Sequence, residues 1–185
     1  MKVLGISGSL RRDSHNTQLL RAAAELLPDG VELELWDGLK AVPPYDEDDD
    51  LVEAPAVVAE LREAIAGADA ILFATPEYNH SVPGQLKNAL DWASRPLATS
   101  PLRNKPVAVV GASMGAFGAV WAQAELRKTL AATGARVIDG EVAVGHAAQR
   151  FDERGRLVDE NLREELGEVV ETLADAARAR VLVAA

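Results

Sequence analysis

Ala74-Thr75-Pro76-Glu77-Tyr78-Asn79-His80-Ser81-Val82-Pro83-Gly84 decides the fold, through what stands on either side of it. Before it, Asp69-Ala70-Ile71-Leu72-Phe73-Ala74 is apolar with almost no alternation. Such a run predicts a strand buried on both faces, the habit of a parallel sheet. After it, Gly84 to Arg95 has helical spacing, with Leu86, Ala89, Leu90 and Ala93 on one face. The stretch is therefore a loop at the carboxyl end of a central strand, where open parallel sheets bind ligands. It is polar, stiffened by two prolines, and longer than the two to six residues usual for such a connection.

The same alternation of strand and helix extends in both directions. Upstream, Lys2 to Ile6 predicts a first strand, Asn16 to Leu27 a helix stopped by Pro28-Asp29-Gly30, and Val31 to Trp36 a second strand. The second strand alternates cleanly, which places it toward a sheet edge. Asp37 to Asp50 predicts an irregular segment whose acidic end, Asp46 to Asp50, lacks the glycine and distal glutamate of a calcium loop. It reads as solvated, with its charge favourable at the N-terminus of the following helix, which begins near Ala54-Pro55 and ends at Gly67. Downstream, Lys105 to Val110 predicts a fourth strand and Ala119 to Thr133 a helix. Arg136 to Ile138, resuming at Val142 to Val144, predicts a fifth strand, and Asp159 to Arg178 a last helix. Five strands alternating with helices predict a three-layer α/β sandwich with strand order 2-1-3-4-5, whose switch point lies between strands 1 and 3.

Bulk properties limit the function. The chain has 185 residues, 48% of them hydrophobic, which suits one domain spanning 1–185. A net charge of −10 disfavours nucleic acid or an anionic membrane as main partner. With no cysteine there is no disulfide, thiolate catalysis or cysteine-held metal. The N-terminus has no signal-peptide pattern, and no stretch approaches the roughly 20 apolar residues that span a bilayer. A cytoplasmic protein is the expectation.

Three loops carry the chemistry. In the first, Ser7, Ser9, Ser14 and Thr17 offer hydroxyls, Asn16 an amide and Arg11 a guanidinium, ahead of a helix N-terminus. This suits a phosphate monoester, such as that of FMN; the Gly-x-Gly-x-x-Gly and Gly-Lys-Ser/Thr patterns of pyrophosphate and triphosphate sites are missing. Helix capping by Ser14 or Asn16 is the plainer alternative, and it leaves the other hydroxyls unexplained. In the second loop, backbone N–H groups from Glu77 through Ser81 can meet the electron-rich edge of a flavin, with Tyr78 flanking the ring. His80 invites a catalytic role, but a lone loop histidine is more often a surface or hydrogen-bonding residue. The third loop contains Gly111-Ala112-Ser113-Met114-Gly115, the Gly-x-Ser-x-Gly of a nucleophile elbow, with Asp139 and His146 following in hydrolase order. A serine hydrolase using Ser113 is thus one alternative, although it leaves the first two loops without a role. A flavodoxin-like electron carrier without turnover is another. Gly115 and Gly118 can instead let a planar ring approach the backbone.

Together the loops resemble the NADPH-dependent FMN reductase family, flavodoxin-like quinone, azo and chromate reductases. The resemblance rests on Gly5 to Arg11 with Ser14 and Asn16, on Pro76 to Gly84 with Lys87 to Trp92, and on Ser113 to Gly118. It implies FMN as cofactor, NADPH or NADH as co-substrate, and ping-pong hydride transfer to quinones or other small electron acceptors. It implies FMN contacts at Ser9, Arg11, Ser14, Asn16, Thr17, Pro76, Glu77, Tyr78, Asn79, His80, Ser81, Ser113 and Gly115, with no catalytic side chain and no metal. It also implies a homodimer or homotetramer, with Trp92 as an interface residue if it is not core. Asp13, His15, Ala119 and Trp121 depart from the family pattern.

Overall fold

The computed structural model describes residues 1–50 and 54–184. The strands are β1 (Lys2–Ser7), β2 (Glu32–Trp36), β3 (Ala70–Thr75), β4 (Pro106–Ala112), β5 (Arg136–Val137) and β6 (Ala143–Val144). The helices are α1 (His15–Ala24), α2 (Glu47–Asp50), α3 (Ala56–Gly67), α4 (Gly84–Ala93), α5 (Val120–Ala132) and α6 (Glu160–Ala184). All pairings are parallel and run β2-β1-β3-β4-β5, the flavodoxin-like order expected from the sequence.

β3 is buried at every position because both of its faces are covered. Leu72 and Ala74 face a core built with Leu19 and Leu20 of α1 and Leu166, Val170 and Leu173 of α6. Ile71 and Phe73 face the opposite core, with Leu61 of α3, Leu86 and Trp92 of α4, and Leu126 of α5. Edge strand β2 keeps Glu32 and Glu34 exposed, as its alternation requires.

The fifth strand is split. β5 pairs with Pro106 and Val107, β6 with Gly111 and Ala112, and the chain leaves the sheet between them at Gly140, where φ is 127°. The Arg127 guanidinium of α5 enters the gap and donates to Val109 O, at 3.0 Å, and to Gly140 O. A side chain thus satisfies the carbonyl that a continuous strand would have paired.

Two local expectations need correction, and a third, left open for Trp92, is decided. α1 stops at Ala24 instead of Leu27, since Pro28 disfavours helical backbone in the residue before it. The acidic segment forms the single turn α2. Asp50 leaves solvent to take two hydrogen bonds from Arg62, at 2.8 and 2.7 Å, which hold its carboxyl below the usual carboxylate range. Trp92 is a core residue: it is fully buried, and its indole N–H donates to Pro43 O at 2.9 Å.

Candidate active site

The loops after β1, β3 and β4 stand side by side at the carboxyl end of three adjacent strands. They enclose a cleft of about 350 Å³, within the usual range for a small-ligand site. Ser9, Arg11, Ser14 and Asn16 line it from the first loop and α1, Pro76, Glu77 and Tyr78 from the second loop, and Ser113 and Gly115 from the third. Sequence reasoning missed His15, Ala112 and Met114, which also line it. Helical position 15 beside Ser14 was the available signal for His15.

The first loop arranges donors. Ser14 is the N-cap of α1, and its Oγ accepts from Thr17 N at 3.2 Å. Ser7 and Ser9 accept from the Ser9 and Arg11 amides in the same way. In each case the hydroxyl accepts from the backbone, so its own proton remains available for a ligand. Arg11 has no ion-pair or hydrogen-bond partner for its guanidinium among the described residues. Asp13 is exposed and does not line the cleft. Asn16 is buried and exchanges two hydrogen bonds with the backbone of Ala112, each 2.9 Å. It locks the start of α1 to the end of β4 and so sets the spacing between the first and third loops.

The second loop is a tight turn. Tyr78 and Ser81 bond each other reciprocally, at 3.2 and 3.1 Å, and the residues between them, Asn79 and His80, have φ of 52° and 58°. Two successive positive φ values are the mark of a type I′ turn. The expectation of donors throughout Glu77 to Ser81 therefore needs correction. The Tyr78 and Ser81 amides are engaged within the turn, and only those of Glu77, Asn79 and His80 have no protein partner among the described residues. The Tyr78 ring is half exposed at the cleft. Glu77 Oε2 accepts from the Trp121 and Ala122 amides, both at 3.1 Å, and so caps α5. This satisfies two of the orphan donors at the helix start and places a carboxylate at the positive end of the dipole. His80 stands edge-on to Trp121, with ring centroids 4.6 Å apart, and Trp121 in turn meets Phe117 at 5.1 Å.

Four expected positions do not line this cleft. Asn79, His80 and Ser81 are exposed at the tip of the turn, with the His80 ring drawn toward α5. Thr17 lies on the α1 surface that faces β2, in a separate depression.

The third loop is pinned to β6 and the turn after it. Ser113 N donates to Val144 O, and Ala147 N and His146 N donate to the carbonyls of Ser113 and Gly115. A Cβ at Gly118 would come within 2.2 Å of the Ala143 backbone, and one at Gly145 within 2.2 Å of Ala116 O. Gly118 therefore serves backbone packing, which corrects its expected role beside a ring. A Cβ at Gly115 would meet only Ser113 Oγ, at 3.7 Å, so that glycine leaves the cleft side open. The hydrolase triad does not assemble. Ser113 Oγ donates to Gly115 O at 3.3 Å, Ser113 has no positive φ, and His146 lines a different depression, beside Arg150 and Asp159. Asp139 follows β5, whose register is with the beginning of β4, whereas Ser113 follows its end.

A ligand cleft at the switch point of a 2-1-3-4-5 parallel sheet defines the class: a flavodoxin-like α/β protein. Residues 1–149 match the NADPH-dependent FMN reductase family. An NAD(P)H-dependent FMN reductase of Pseudomonas aeruginosa is 46% identical over 174 residues, 94% of this chain and 93% of that one. A 2-hydroxy-1,4-benzoquinone reductase of a Burkholderia species is 41% identical over 167 residues, 90% of each chain. Among solved structures, the flavoenzyme NAD(P)H:(acceptor) oxidoreductase FerB of Paracoccus denitrificans superposes with a TM-score of 0.84 at 34% identity, covering 96% of this chain and 97% of that one. The chain belongs to the NADPH-dependent FMN reductase family and is an FMN-dependent NAD(P)H oxidoreductase.

Proposed function

We propose that residues 1–185 form one FMN-binding domain that reduces quinones and similar small oxidised acceptors in the cytoplasm. The observation that carries this reading is the convergence of three loops on one cleft, with Arg11, unpaired among the described residues, just ahead of α1. The donor set fits the cofactor. Ser9, Arg11 and Ser14 would hold a phosphate monoester against the free amides and positive dipole end of α1. Pro76, Tyr78, Ser113 and Gly115 would bound a flat ring. Asn16 is a positioning residue, through its bonds to Ala112. Asn79 and His80 stand outside the cleft, at the tip of the turn that Tyr78 and Ser81 close.

When bound, FMN supplies the hydride relay, accepting from NAD(P)H and giving to the acceptor in turn, which is ping-pong order. The chain's part is to orient and to stabilise. Glu77 lines the cleft and its amide has no protein partner among the described residues, so the fixed loop can offer a preorganised donor to negative charge at the ring edge. Tyr78 is exposed enough to cover whichever planar substrate occupies the cleft. The Glu77 carboxylate is committed through Oε2 to the cap of α5, and its Oε1 lies 3.5 Å from His80 Nδ1 outside the cleft, so the hydride chemistry is left to the cofactor. Met114, Phe117 and Trp121 expose apolar surface beside the cleft. A second copy covering that rim would give a homodimer, or a homotetramer by repetition.

Arg11→Ala tests the phosphate contact. FMN affinity should fall by about 1.5–3 kcal/mol, the range for a hydrogen bond to a charged group, while riboflavin affinity should not change. Equal losses for both flavins, measured by fluorescence quenching, would remove the phosphate from Arg11.

A further inference from the structure

A second depression of about 370 Å³ lies on the other side of the first loop, toward β2. Three cations line it: Arg11 from the loop, Arg21 from α1 and Lys40 from the 3-10 turn after β2. None has a carboxylate partner among the described residues, although the chain carries a net charge of −10. Helical side chains lean toward the N-terminus, so Arg21 extends along the same α1 surface as Thr17, one turn earlier. The rest of the wall combines hydroxyls (Ser7, Ser9, Thr17) with the Trp36 indole, and Asp37 is its one acid among the described residues. With Arg11 given to the flavin phosphate, Arg21 and Lys40 against Asp37 still leave a net charge of +1, which favours an anionic group. The site lies at the carboxyl end of an open sheet, where nucleotides bind. Ser9 and Arg11 belong to both depressions, so the two adjoin across the first loop.

We infer that this depression receives the adenosine 2′-phosphate end of NADPH while the nicotinamide end enters the cleft, making Arg21 and Lys40 the residues that prefer NADPH over NADH. This rests on the reductase reading for the identity of the dinucleotide. The phosphate dianion meets the two side chains, the Thr17 hydroxyl can donate to it, and the indole offers the adenine an apolar face. Asp37 suits a ribose hydroxyl.

The test uses the full chain with Arg21→Ala, Lys40→Ala and the double variant. Both side chains are exposed and bonded to nothing else among the described residues, so the fold should survive. Titration calorimetry with 2′-AMP and 5′-AMP reads the site without turnover. The wild type should bind 2′-AMP about tenfold or more tighter than 5′-AMP, and the double variant should lose that preference. In steady-state assays the double variant should raise KM for NADPH about tenfold or more, with KM for NADH moving less than about twofold. Equal affinity for the two monophosphates in the wild type overturns the inference, whatever the enzyme reduces. A loss of FMN affinity in the double variant, with both coenzymes equally affected, also overturns it and assigns the cations to the flavin phosphate. If the chain binds no FMN but selects 2′-AMP, the reductase reading fails and this site stands.

Discussion

Asn16→Ala should loosen the whole site from a position that offers a ligand very little. The Asn16 amide is buried, and its two hydrogen bonds reach the N–H and C=O of Ala112, itself only 2% exposed. Truncation removes both partners and leaves two buried backbone groups unsatisfied. Each costs about 1–3 kcal/mol, so the variant should lose about 2–6 kcal/mol, a large fraction of the roughly 5–15 kcal/mol typical of a domain. The pair also spaces α1 from the end of β4, so the Ser9–Ser14 and Ser113–Gly115 walls should drift relative to each other. FMN and riboflavin affinities should therefore fall together, in contrast to Arg11→Ala. Urea unfolding gives the stability, and fluorescence quenching gives both affinities. A loss under about 1 kcal/mol with an unchanged urea slope would refute the reasoning, because it would mean that water replaces the amide without cost.

Other perturbations separate neighbouring claims. Ser113→Ala should retain quinone reduction, and a fluorophosphonate probe should leave the wild-type intact mass unchanged; a labelled Ser113 would restore the hydrolase reading. Tyr78→Ala should slow quinone turnover about fivefold through loss of an aromatic wall, whereas His80→Ala should change it little; stopped-flow flavin absorbance compares them. Burial lowers the Lys105 pKa to about 8, even though its ammonium donates to Ala66 O and Ala68 O. Between pH 8 and the ordinary 10.5 the unfolded chain therefore binds more protons than the folded one, so this group makes stability rise with pH across that window and adds no slope below it. The wild type minus Lys105→Met difference in unfolding free energy should show that rise, and a flat difference would contradict it.

The sheet was legible because its physics is local to each strand. The unbroken apolar run of β3 and the alternation of β2 state directly how many faces are covered. The three loops were legible as sites because each carries polar or glycine residues beyond what a connection needs. Pairings between distant residues were not. Nothing in the sequence near Asn16 reports that Ala112 will stand opposite it. The Tyr78–Ser81 turn was hidden because Asn79-His80 lacks the glycine that usually signals a type I′ turn, so its amides were all counted as free. The split fifth strand was suggested by the break between Ile138 and Val142, but the guanidinium that fills the gap comes from α5, and only packing reveals it. Gly118 misled because a glycine beside a ligand loop can serve either ligand or backbone, and the Ala143 backbone decides which.

The most direct test of the central claim is an anaerobic absorbance experiment on the FMN-loaded protein. NADPH added without acceptor should bleach the flavin band, and a subsequent addition of benzoquinone should restore it in one equivalent. A protein that retains no flavin after FMN loading, or whose flavin band stays unchanged until NADPH and quinone are present together, would contradict the account.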